Sequence, residues 1–228
     1  MAKKTFYTEI AYALGLSVLA LGTALMEAAD FGVSMVVAPA YLIYRWLSPI
    51  YPFFTFGMSE YTLQAFLLVG MTLVLRKFRV SYLFSFITAL VYGFLLDGAM
   101  ILVAFVPLDQ LGSRIGFYII GMLLCSMGVS LLFHSYISPE AYELFVKEVS
   151  AQHNISIHRF KTYYDCISCM VGIALSFIFF GLWTFEGVKL GTIVCALING
   201  WIIGRFTQLF ETHYNFRDGL SLQKYFAM

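Results

Sequence analysis

Charged side chains are scarce in this chain, at 12% of 228 residues. A soluble domain of this size carries about a quarter, so a hydrated surface all round is excluded. The formal net charge is only +1, which leaves no basic face for nucleic acid. Cysteine is limited to Cys125, Cys166, Cys169 and Cys195, all inside apolar stretches. That placement suits small helix-packing residues rather than a disulfide scaffold. Cys166 and Cys169 share a helical face, but with no histidine or third cysteine nearby no metal site is expected. Gly-x-Ser-x-Gly, His-Glu-x-x-His and P-loop patterns are missing, so nothing points to an enzyme, and no cofactor is expected. Linker and low-complexity segments are lacking too, which predicts one polytopic domain over 1–228.

What is abundant is apolar sequence. Hydrophobic residues make up 61% and the mean hydropathy is +0.82. A bilayer core about 30 Å thick needs roughly 20 apolar residues in a helix. Six stretches qualify: Phe6–Ala28, Tyr61–Leu75, Ser81–Phe105, Gly116–Phe133, Tyr163–Thr184 and Leu190–Phe210. No cleavable signal peptide is expected ahead of the first. Lys3, Lys4, Arg76, Lys77, Arg79, Lys147, Arg159, Lys161, Arg205, Arg217 and Lys224 fall on one side of these spans, and Arg45, Arg114 and Lys189 on the other. The positive-inside rule then puts both termini in the cytoplasm.

Two connections are too long to be turns. Asp30 to Phe56 contains the apolar run Val33–Leu47, too short to span. Ser135 to Arg159 contains an amphipathic helix opened by Ser138-Pro139-Glu140, with an N-cap serine, a first-turn proline and an acid at the positive helix end. Each occupies the same place in its half of the chain. Thr88 to Asp97 aligns with Cys195 to Gly204, and Gly15 and Gly22 with Gly121 and Gly128. With three spans in each half, the second copy enters the bilayer from the opposite side. The expected architecture is an all-α membrane protein of six transmembrane helices arranged as two inverted three-span repeats. These cover about 5–107 and 114–212, each with an in-plane or re-entrant helix after its first span.

Gly15/Gly22, Gly121/Gly128, Asp97, the segment His158 to Asp165, Gly191-Thr192 and Gly200 together resemble the YczE/YyaS/YitT family of bacterial membrane proteins. The resemblance covers most of the chain. It implies this membrane fold in a bacterial inner membrane and carries no biochemical activity with it.

Polar residues inside spans are costly and mark pathways or packing contacts. Asp97, late in the third span, is a candidate proton, cation or substrate site, or else a hydrogen-bond partner for a neighbouring helix. Glu27 and Asp30, three apart at the outer end of the first span, would raise each other's proton affinity, unless they form a solvated span end. Gln64 and Asn199 lie mid-membrane and would bind substrate or join helices. Asp165 with Arg159 and Lys161 nearby forms an expected inner ion pair or gate. Arg205, the cation deepest in an apolar run, either snorkels or meets an anionic substrate, and in a transporter would form an inner gate with Asp165. His134, His153 and His158 match no metal spacing.

The function these residues favour is a small-solute or ion transporter or channel with a midplane site between inverted repeats, coupled to protons or cations. The alternative is an accessory membrane protein that binds a lipid or protein partner through Pro139–Ala151 and Val33–Leu47. A homo-oligomer or a membrane protein partner is compatible with either.

Overall fold

The computed structural model describes residues 3–75 and 80–220. Their elements run in the order β1 (Lys4–Tyr7), α1 (Thr8–Ala29), α2 (Ala38–Leu47), α3 (Phe56–Leu75), α4 (Val80–Val103), α5 (Leu111–Phe133), α6 (Ala141–Gln152), α7 (Ile157–Phe180), α8 (Leu190–His213) and β2 (Tyr214–Arg217). Arg76, Lys77, Arg79 and Lys224 of the charge tally lie outside the described residues.

Among the described residues, five helices are long and apolar enough to cross a membrane: α1, Tyr82–Val103 of α4, α5, α7 and α8. At 1.5 Å per residue, a helix of 22–24 residues is about 33–36 Å long, enough for the hydrocarbon core. The chain is therefore an all-α, multi-pass membrane protein. Helix α3 has 20 residues, but Glu60 and Gln64 lower its hydropathy. It buries both completely while exposing Phe66, Val69 and Leu73. The apolar flanks face outward and the polar pair faces other helices.

The ends of the helices follow local chemistry. The Ser156 hydroxyl accepts a hydrogen bond from the Arg159 amide and caps α7. The helix thus begins six residues before the expected Tyr163, because His158, Arg159 and Lys161 are helical rather than part of the loop. α1 stops at Asp30, which adopts a left-handed conformation with φ 57°. The Arg114 guanidinium then donates to the Ala29 carbonyl over 3.0 Å, a cation at the negative helix end. Pro39 falls in the first turn of α2, where its missing amide costs nothing.

α1 and α5 form the centre, running antiparallel with glycines at the crossing. A Cβ on Gly22 would lie 2.7 Å from the Gly121 carbonyl, and one on Gly128 would lie 2.7 Å from that of Gly15. Backbones approach this closely only where side chains are absent. Around the central pair, α4 packs on α1 and α8 on α5, while α3 packs on α4 and α7 on α8. The two short helices cross over: α2 packs against α3 and α7, and α6 against α7 and α3. Ten and twelve residues make about 15 and 18 Å, too short to span. Yet both are largely buried, through Ala38, Ala40, Tyr41 and Leu42 in α2 and Ala141, Tyr142, Leu144 and Val146 in α6. Outside the helices, β1 and β2 pair in parallel, Lys4 opposite Tyr214 and Tyr7 opposite Arg217, so the two ends of the fold are fastened together.

Candidate functional site

The connections leading into α2 and α6 converge. Ser34, Val36 and Val37 ahead of α2, with Glu140, Tyr142 and Glu143 at the start of α6, line one small cavity together with Lys161, Asn199, Tyr92 and residues of α1 and α5. It is about 20 Å³, enough for the centre of a water-sized molecule. The connections are held by hydroxyls on the long helices. Ser85 donates to Pro139 O at 2.6 Å, Thr88 to Ser138 O at 2.8 Å, and Thr192 to Val33 O at 2.8 Å.

Two hydrogen-bonded strings of buried polar groups run beside this cavity. In the first, the Gln64 amide nitrogen donates to Glu60 Oε2 (3.3 Å) and Glu140 Oε2 (3.1 Å), while its carbonyl accepts from the Ala141 amide (3.0 Å). The Tyr142 hydroxyl also donates to Glu60 Oε2. In the second, Lys161 Nζ lies 3.1 Å from both Glu143 Oε1 and Asp165 Oδ1. Asn199 Nδ2 donates to Asp165 Oδ2 (3.4 Å), and Ser126 donates to Asn199 Oδ1 (2.7 Å). Glu60, Glu140, Glu143, Lys161 and Asp165 are all at most 4% exposed. Of these four carboxyl groups, only Glu143 and Asp165 are in contact with the one ammonium group. Glu140 precedes α6 rather than sitting in a span, and its carboxyl is pushed well above the ordinary range. Burial is the main cause, followed by the neighbouring acids Glu143 and Glu60.

Of the candidate polar groups read from the sequence, the structure brings Gln64, Asn199 and Asp165 together in this cluster. Sequence reasoning missed Glu60, Glu140 and Glu143, and with them the contact of Lys161 with a second acid. Glu140 reads as the acid of a helix start, and Lys161 as one of two cations near Asp165. The usable signal was spacing: Glu60/Gln64 and Lys161/Asp165 are both i, i+4 pairs and so share one helical face.

The other candidates lie elsewhere. The partner of Asp165 is Lys161, four residues earlier on the same helix face, whereas Arg159 is exposed. Arg205 is exposed and stacks on Trp201, with 5.1 Å to the ring centre, so it forms no gate with Asp165. Asp97 caps α3, accepting from Thr55 Oγ1 at 2.8 Å and from the Gly57 amide at 2.9 Å. It therefore fixes a helix end outside the cavity. Glu27 and Asp30 take separate hydrogen-bond partners. Glu27 accepts from the Tyr41 hydroxyl at 3.4 Å. Asp30 is clamped by Arg114 at 3.1 Å and by Lys189, because its left-handed backbone turns it away from the α1 face. With Arg45 bound to Glu186 at 2.9 Å, the three cations assigned to the second side each hold an acid at that rim. Among the described residues, no group of three or more His, Cys, Asp or Glu is arranged to hold a metal ion.

A family model described as "Family of unknown function (DUF6198)" matches residues 6–208, and the chain belongs to that family. No curated protein and no solved structure matches it.

Proposed function

We propose that this member of the DUF6198 family is a small-solute or ion transporter of a bacterial cytoplasmic membrane, with both termini inside and α3 as a sixth span. The observation that carries the reading is the charged cluster around the cavity where α2 and α6 begin. Burying an ion costs several kcal/mol even when it is paired. A protein that only had to pack its helices would gain by replacing such groups with apolar ones, so their presence in a bilayer points to a pathway.

An inverted two-fold relation supports the same reading. Exchanging α1–α4 with α5–α8 leaves the packing pattern in register: α1–α4 becomes α5–α8, and α2–α7 becomes α6–α3. Gly15 faces Gly128 and Gly22 faces Gly121, the crosswise contacts expected of a two-fold axis in the membrane plane. Ser85 and Thr192, 107 residues apart, each hold the connection ahead of a short helix. Gly93 and Gly200, also 107 apart, each rest on a backbone carbonyl, that of Gly57 and that of His158. Aligning Gly57 with His158 carries Glu60 onto Lys161 and Gln64 onto Asp165. The two i, i+4 pairs are then counterparts, meeting where inverted repeats place a binding site.

The test is flux into liposomes containing the purified protein, with a pH dye and an ion-sensitive dye trapped inside. Gradients of alkali cations, ammonium, chloride, phosphate and small metabolites are imposed in turn. The expected result is flux with one solute class that is lost in Lys161→Met. No flux with any gradient, from protein that remains folded, would favour the accessory role instead.

A further inference from the structure

We propose that Glu60 and Glu140, bridged by Gln64, form a binding site for one exchangeable proton. Its role as the coupling ion rests on the transport reading; the proton site itself does not.

The hydrogen-bond count makes the case. Gln64 spends both amide hydrogens on the near oxygens of the two carboxyl groups, and its carbonyl is taken by the Ala141 amide. The far oxygens, Glu60 Oε1 and Glu140 Oε1, are buried without any hydrogen-bond partner. An unsatisfied polar atom in such a place is costly, and one that remains calls for an explanation. A proton supplies one: it removes a buried charge, and on Glu140 Oε1 it makes a donor that a water in the adjoining cavity can accept from. Glu140 lines the water-sized cavity, so the proton can arrive on a water.

The surrounding charges ask for the same thing. From α7, Lys161 is the sole cation facing the site among the described residues, and Glu143 and Asp165 already engage it. From α6 itself come Glu143 and Tyr142; from α4, Tyr92; from α1, Tyr12; and from α5, Cys125. These phenols and the thiol bring no positive charge. Two ionised carboxylates on one amide would therefore stand uncompensated.

Uptake converts one carboxylate and one proton from water into a neutral carboxylic acid, and release reverses it with no redox change. A metal cation fits less well, because Gln64 turns its donors rather than its oxygen toward both acids, and Lys161 lies beside the same cavity.

The experiment is infrared spectroscopy of the protein in lipid nanodiscs across pH, in light and heavy water. An ordinary glutamic acid, with a pKa of about 4.3, is ionised at about pH 7. The expected result is a protonated-carboxyl band that persists at that pH, shifts in heavy water and fades as pH rises. It should be lost in Glu140→Gln and altered in Glu60→Gln. Absence of the band near neutrality, or a band unchanged in both variants, would overturn the proposal. So would a band that falls when sodium is added at constant pH, because the occupant would then be a metal cation. The wild-type titration is decisive even if one variant fails to fold. Flux without the band would sink the proton site and leave transport standing; the band without flux would do the reverse.

Discussion

Replacing Gly22 by alanine adds one methyl group where α1 meets α5. Its Cβ would sit 2.7 Å from the Gly121 carbonyl and 2.8 Å from the Cys125 amide, whereas ordinary contact begins near 3.4 Å. The obstacles are backbone atoms, so no side-chain rotation relieves them. The helices must part by roughly 0.7 Å, the shortfall between those distances. A gap of this size forfeits a quarter to a half of each facing dispersion contact. Overpacking of a tight interface costs about 1–3 kcal/mol, which lowers the unfolding midpoint by a few degrees to about ten for a chain of this length. Gly98→Ala is the internal control. It adds the same methyl to a helix, has nothing within 4 Å, and should be neutral or stabilising by up to about 1 kcal/mol. The assay is thermal unfolding of the purified protein followed by intrinsic fluorescence, with wild type, both single variants and Gly121→Ala run together. Equal midpoints for Gly22→Ala and Gly98→Ala would refute the argument, because they would mean that the α1–α5 crossing is loose enough to take a side chain.

Lys161→Met leaves Glu143 and Asp165 buried without their cation and should cost about 3–5 kcal/mol at neutral pH. Adding Asp165→Asn should recover part of the loss, measured as a double-mutant cycle of unfolding free energies. Asp97→Asn weakens the α3 cap by about 0.5–2 kcal/mol and should leave the infrared band untouched, because Asp97 stands outside the cavity. For Glu140, the folded carboxyl holds its proton to a higher pH than the unfolded one. The folded state then binds more protons in that window, and stability falls as pH rises through it. Glu140→Gln should therefore unfold at a higher temperature than wild type under alkaline conditions, with the difference shrinking in acid; melting curves across pH check this.

Five of the six expected spans were legible because periodicity and length are local properties. α4, α5 and α8 begin or end within a few residues of the stretches read from hydropathy. α7 was read as beginning too late, because a helix with a polar first turn resembles a loop until Ser156 is seen capping it. The cluster was half legible. Gln64 and Asn199 stand out as polar residues among apolar neighbours. Glu140 does not, since Ser-Pro-Glu reads equally well on a wet surface. Only the folding of the Ser135–Arg159 connection back against α3 and α4 turns that acid inward. Lys161 counts in the charge tally as an inner-side cation, yet its ammonium is engaged by two acids and is 1% exposed.

The parallel pairing of β1 with β2 also orders events in time. Residues 4 and 214 are 210 positions apart, and at roughly 5–20 residues per second their synthesis is separated by about 10–40 s. The first strand made has no partner until every helix has been synthesised. Closure of this sheet is thus a late step of biogenesis, and protection of the Lys4–Tyr7 backbone from proteolysis would report that a molecule is finished.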